Sequence, residues 1–136
     1  MATHILVLEK DLFFAVKIRD TLRHHEMEVR TVRNLAAFEQ GLATTGEERP
    51  DLAIVDFSIQ GVDWEAAIRQ ASAQGYPVLA FGSHMDLEAH GRARQAGASR
   101  VVANSKFTSD MPGTVQRLLG GPASSAQEEA ESAGAE

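Results

Sequence analysis

Asp56 ends the short apolar run Leu52-Ala53-Ile54-Val55, and Gly61 and Asp63 follow a few residues on. A carboxylate at the C-terminal tip of a buried parallel strand, with a turn glycine just beyond it, sits where open α/β sheets place their ligand sites. A second charged cluster, Glu9-Lys10-Asp11, follows the apolar run Ile5 to Leu8. Patterns for other chemistries are missing: there is no Gly-x-Ser-x-Gly, no Gly-x-Gly-x-x-Gly and no phosphate loop ending in Lys-Ser or Lys-Thr. With no cysteine, disulfides and thiolate metal sites are excluded.

The elements that must position these groups are legible as five apolar runs, Ile5 to Leu8, Glu28 to Val32, Leu52 to Val55, Pro77 to Phe81 and Arg100 to Ala103, with helical patterns between them. Strand alternating with helix predicts a doubly wound parallel sheet, (βα)5, covered on both faces. Phe14, Ile18 and Leu22 recur at helical spacing behind Asp11 as a cap, and Leu35, Phe38 and Leu42 do so behind Asn34. A third helix from about Val62 to Ala73 buries Ala67, Ile68 and Ala71 and carries Glu65 and Arg69 four apart on its outside. A fourth runs from about Asp86 to Gln95 and stops at Gly97, and the last opens near Asp110 with Pro112 in its first turn. It buries Val115, Leu118 and Leu119.

A chain of 136 residues with 43% apolar and 24% charged residues suits one globular domain with a single core. The net charge of −6 is uneven, because Glu128, Glu129, Glu131 and Glu136 contribute −4 after Gly120 and leave the body near −2. A body without a basic stripe argues against nucleic acid. The stretch 120–136 has no aromatic or branched aliphatic residue and is expected to be an acidic, disordered tail. The start of the chain has neither a basic n-region nor an apolar run long enough for a signal or a membrane span, so no membrane partner and a cytoplasmic address are expected.

Over roughly residues 3 to 119 the chain resembles the response-regulator receiver domains of two-component signalling. The resemblance is carried by Ile5-Leu6-Val7-Leu8-Glu9-Lys10-Asp11, by Pro50-Asp51-Leu52-Ala53-Ile54-Val55-Asp56 leading to Gly61-Val62-Asp63, by Pro77-Val78-Leu79-Ala80-Phe81, and by Gln95-Ala96-Gly97-Ala98. It implies a flavodoxin-like sheet in the order 2-1-3-4-5 over a receiver-like domain, 1–119, with Asp56 as the candidate phosphoacceptor. It also implies a stand-alone signalling module, not an enzyme, with a histidine kinase or a downstream protein as partner and a homodimer as a further option.

Phosphoryl transfer to a carboxylate needs the charge on the phosphoryl oxygens neutralised by a divalent metal and a nearby cation. Receivers resemble one another in using two acids after the first strand, a Thr or Ser after the fourth and a Lys after the fifth. Here Glu9 stands at the first acid and Lys10 at the second, a charge reversal. Gly82 falls at the hydroxyl position with Ser83 next to it, and Asn104 falls at the lysine with Lys106 two residues on. Glu9 and Asp56 are the remaining candidates for Mg²⁺, which is therefore expected to bind weakly or not at all. Two readings of Asp56 follow. In one it accepts a phosphoryl group with Mg²⁺; in the other it is a relic paired with Lys10, whose charge pulls the Asp56 pKa down. The leading expectation is a degenerate site on a module that acts mainly through protein-protein interaction.

The partner surface implied by the resemblance comprises Leu87, His90, Arg92 and Arg94 with Val101 and Ala103, and Val101 replaces the family's aromatic switch residue. His24 and His25 read as solvated residues at a helix end, and His84 as a loop histidine. Phe13, beside Phe14, is expected to be partly buried.

Overall fold

The computed structural model describes residues 2–120. The order is β1 (Thr3–Leu8), α1 (Leu12–Arg23), β2 (Met27–Val32), α2 (Leu35–Leu42), β3 (Leu52–Asp56), α3 (Trp64–Ala73), β4 (Val78–Gly82), α4 (Leu87–Ala96), β5 (Arg100–Ala103), α5 (Asn104–Ser109) and α6 (Met111–Leu119), with a 3-10 turn at Gly46–Glu48. The strands form one parallel sheet in the order β2-β1-β3-β4-β5, as expected. The expected acidic tail falls, from residue 121 on, outside the described residues.

Strand alternation divides the core between the two faces of the sheet. Leu6, Leu8, Ala53, Val55, Val78 and Ala80 face α2, α3 and α4, where Phe38, Leu42, Ala67, Ile68, Ala71 and Ala93 meet them. Ile5, Val7, Leu52, Ile54, Leu79 and Phe81 face α1, α5 and α6 through Ile18, Leu22, Phe107, Met111 and Val115. The predicted caps are in place: Asp11 Oδ1 accepts from the Phe13 and Phe14 amides, Asn34 from Ala37, and Asp110 from Gly113. Gly97 closes α4 with φ of +116°, a left-handed turn in which a Cβ would also strike the Ser72 side chain.

Several boundaries and one element differ from the sequence reading. The third helix starts at Trp64 rather than Val62, because Asp63 accepts the Ala66 amide and is its N-cap. Between β5 and the last helix, where no element is predicted, lies the short helix α5, anchored by Phe107, which is fully buried and stacked on Phe81 with centroids 4.4 Å apart. Leu118 and Leu119 are half-buried, so only Val115 of the expected trio in α6 is in the core. Phe13 is a correction as well: it is 91% exposed. The α1 stripe turns Phe14 inward onto Phe81, centroids 5.2 Å apart, which carries the preceding residue about 100° away into solvent.

Candidate functional site

Parallel register brings the two carboxylates together. Leu8 pairs with Val55, so the next residues, Glu9 and Asp56, emerge side by side at the carboxyl edge of the sheet. Glu9 extends the ladder, its amide donating to the Val32 carbonyl at 3.0 Å, and its side chain is only 1% exposed. Its Oε1 accepts the Asp11 amide at 3.0 Å. Asp56 is half-buried, and its Oδ1 accepts the Ser58 amide at 2.7 Å in an Asx turn.

Glu9 Oε2 is buried with no donor among the described residues, although the Glu9 carboxyl lies against that of Asp56. Two ionised carboxylates cannot hydrogen-bond to each other, so the contact is satisfied only by a proton held between them or by a cation. Burial, reinforced by the Asp56 charge and hydrogen bond, pushes the Glu9 pKa up to about 8. Burial also raises Asp56, while the hydrogen bond from Glu9 and the Ser58 amide pull it back. The hydrogen bond between them raises Glu9 and lowers Asp56, as it does when Glu9 donates the shared proton and Asp56 accepts it.

The ion pair expected between Lys10 and Asp56 does not form. Side chains alternate along a strand, so when Glu9 turns inward Lys10 turns out, and its Nζ donates to the Gln60 carbonyl at 3.0 Å. The downward shift of Asp56 expected from that pair is accordingly replaced by an upward one. Lys10, Asn104, Asp11, Phe14, Ser58, Ile59, Gln60 and Phe81 line an open pocket of about 490 Å³ with Glu9 and Asp56. Lys106 does not line it: residue 106 lies in α5, whose register is set by burial of Phe107.

Gly82 ends β4 where a hydroxyl was sought, and its place is already filled. A Cβ there would lie 2.4 Å from the Phe57 ring and 2.7 Å from Ser58 Oγ. Ser58 Oγ accepts the Ser83 amide at 2.8 Å, and Ser83 Oγ accepts the Met85 amide, so Ser83 is turned into its own loop. Ser58 was not singled out in the sequence. Its position two residues after Asp56 is the Asx-turn signal that points to it.

The carboxylate pair suits a hard cation such as Mg²⁺ by ligand type, and Glu9 Oε2 with Asp56 would hold it. No group of three or more His, Asp or Glu able to hold a metal is present among the described residues.

The surface expected to meet partners is only partly presented. Leu87 is 75% exposed and Arg94 is also exposed, but Val101 is buried and Ala103 half-buried. His90 packs edge-on against Phe57, centroids 4.8 Å apart, with Nε2 3.1 Å from the Ser83 carbonyl. Arg92 binds Glu65 Oε1 at 2.5 Å and lies over the Trp64 ring, tying α4 to α3. His24, His25 and His84 are exposed. No helix among the described residues is long and apolar enough to cross a membrane.

No protein-family model matches the sequence, and no curated protein does. Solved structures match widely. The receiver domain of a signal transduction histidine kinase from Syntrophus aciditrophicus is 25% identical, with a TM-score of 0.75 over 88% of this chain and 91% of that one. A response regulator from Thermotoga maritima is 15% identical, with a TM-score of 0.74 over 89% of this chain and all of that one. A response regulator from Burkholderia pseudomallei, solved with a phosphorylated aspartic acid, a calcium ion and citrate, is 16% identical with a TM-score of 0.75 over 96% of this chain and 73% of that one. The fold is that of response-regulator receiver domains.

Proposed function

We propose that this receiver fold is a two-component signalling module with a degenerate phosphorylation site, passing its signal mainly through protein-protein contact with a histidine kinase or a downstream protein. One observation carries the reading: the end of β4 has no room for a hydroxyl, since the Phe57 ring and Ser58 Oγ fill the place of a Gly82 side chain. The fifth strand adds to it, because Asn104 puts a neutral amide at the pocket where a phosphoryl group needs a cation. Residues 1–119 form the receiver-like unit, and its work is binding rather than turnover.

A second reading is favoured by a different observation. Lys10 is engaged by the Gln60 carbonyl rather than by Asp56, and the buried Glu9 Oε2 faces Asp56 with no donor among the described residues, as expected of a site that takes Mg²⁺ and accepts a phosphoryl group from a histidine kinase. Intact-mass measurement after incubation with acetyl phosphate and Mg²⁺ separates the two. The first reading expects an unchanged mass. Addition of one phosphoryl group, lost in Asp56→Asn, would establish the second.

A further inference from the structure

The exposed large apolar side chains are not scattered. Leu12 (61%), Phe13 (91%) and Val16 (43%) lie on the first turns of α1, and Met85 (78%) and Leu87 (75%) lie where the chain enters α4. Both helices begin at the carboxyl edge of the sheet. Asp11 and Phe14 line the pocket containing Asp56, and Met85 lines an adjoining pocket of about 500 Å³ that shares Ser58, Ile59 and Gln60 with it. At the same edge as these apolar helix starts, the pocket is acidic, with Glu9, Asp11 and Asp56 against one Lys10 whose ammonium is engaged by Gln60. At its floor, the buried Glu9 Oε2 is turned toward Asp56, and that contact of two carboxyls is met only by a shared proton or by a cation. A cation that takes the place of that proton leaves two ionised carboxylates, and buried charges are stable when paired and hydrogen-bonded.

We propose that this edge is a docking surface for a partner protein, which lays an apolar segment on the rim and inserts one basic side chain, an arginine, between Glu9 and Asp56. The inference rests on the interaction-module reading and names the chemistry of its partner. Charge selects the occupant: an anchor entering a pocket of carboxylates must be cationic. Shape selects arginine over lysine, because a planar guanidinium with five N–H donors can serve Glu9 Oε2 and the second Asp56 oxygen together. Apolar flanks on the partner then cover Phe13 and Met85, which are otherwise large apolar groups left in water. Arginine and aromatic anchors at the centre of an interface are where binding energy concentrates.

The backbone supplies the reporters. The Asp11 amide donates to Glu9 Oε1 and the Ser58 amide to Asp56 Oδ1, so both NMR resonances sense what happens to the pair. The probes are two amidated helical peptides, identical except that a central arginine between leucines is replaced in one by citrulline, its uncharged isostere. The arginine peptide is expected to shift both amides saturably and to bind at least tenfold more tightly than the citrulline peptide. Asp56→Asn should remove that preference, and Phe13→Ala should weaken the arginine peptide several-fold while keeping it. Equal binding of the two peptides, or no shift of the two amides with either, overturns the proposal. A shift with Mg²⁺ alone, together with no arginine preference, also overturns it and assigns the pair to a metal. Phosphorylation of Asp56 by acetyl phosphate would instead count against the interaction-module reading, so failure of that reading and of this docking surface are separately visible.

Discussion

The carboxyl edge of the sheet has two halves that differ in kind. At the ends of β1 and β3, the buried Glu9 and the half-buried Asp56 are held in contact, a pairing that needs a shared proton or a cation. At the ends of β4 and β5 the hydroxyl and the cation are gone from their expected places: Gly82 sits under the Phe57 ring, and Asn104 brings a neutral amide as the chain turns at once into α5. The first half holds chemistry at a cost in stability, and the second is built as core. Packing has therefore replaced polar function on one side only, and the difference can be attacked from either side.

The largest effect is expected on the packed half. Phe107 is fully buried, with its ring 4.4 Å from Phe81 and 6.3 Å from Phe14, and it fixes α5 against the sheet. Phe107→Ala should destabilise the fold by about 3–5 kcal/mol, the usual cost of emptying an aromatic site in a core. Urea unfolding followed by circular dichroism measures it. A loss below about 1 kcal/mol would show that α5 is only loosely seated, since it would lie far under the range for such a deletion.

Gly82→Thr tests the same half more gently. The new Cβ would fall 2.4 Å from the Phe57 ring, so the ring must move or β4 must shift. Overpacking of this kind costs about 1–3 kcal/mol. Restoring a hydroxyl here should therefore lower stability without creating a phosphorylation site, and a neutral Gly82→Thr would show that the β4 end is open after all.

The acid half should announce itself through pH. A carboxyl whose pKa rises from 4.5 to about 8 on folding holds a proton that the unfolded chain has released. Between those values stability falls as pH rises, and outside them Glu9 contributes no slope. Asp56, raised by its own burial, acts in the same direction. Glu9→Gln keeps the shape and removes the titration, so its stability should be flatter between about pH 5 and pH 8, the window that linkage assigns to Glu9. Parallel pH curves for wild type and variant would refute the assignment of the shared proton.

How legible this was in the sequence follows from which forces acted. Periodicity placed the five strands and the caps, because burial of alternate or every-third-or-fourth residues is written locally. The meeting of Glu9 and Asp56 followed from the register, since residues ending two adjacent parallel strands are neighbours. The direction of Lys10 was not legible in the same way: its place at the second acid of the resemblance invited a pair with Asp56 across the sheet edge, but strand alternation turned Glu9 inward and Lys10 outward. Phe13 and Phe14 posed a similar choice, decided by the phase of the helix against Phe81 and Phe107. The filling of Gly82 by Phe57 depends on a side chain crossing between loops, which no local pattern records.

Metal sharpens the comparison further. Two carboxylates, with no third His, Asp or Glu to complete a set among the described residues, are few ligands for a divalent ion, so titration calorimetry should show no saturable Mg²⁺ site at low millimolar concentration. Lys10→Asp should raise the affinity, because it removes a positive charge and adds an oxygen donor at the rim of the same pocket. Clear saturation in the wild type would return the acid half to metal chemistry.

The smallest effect lies away from the edge, at Arg92. Its guanidinium joins Glu65 on α3 and covers the Trp64 ring, 5.1 Å from the centroid, yet its side chain is 48% exposed. Exposed ion pairs contribute little to stability because water already solvates both charges and salt screens them. Arg92→Ala should therefore leave the unfolding midpoint nearly unchanged. Trp64 is the only tryptophan and is otherwise buried against Phe57, so removing the cation from its face should still change its emission. An altered Trp64 spectrum with an unaltered midpoint is the expected pair of results; a large drop in the midpoint would mean that the contact between α3 and α4 depends on this one arginine, and that the packed half of the molecule extends to its surface.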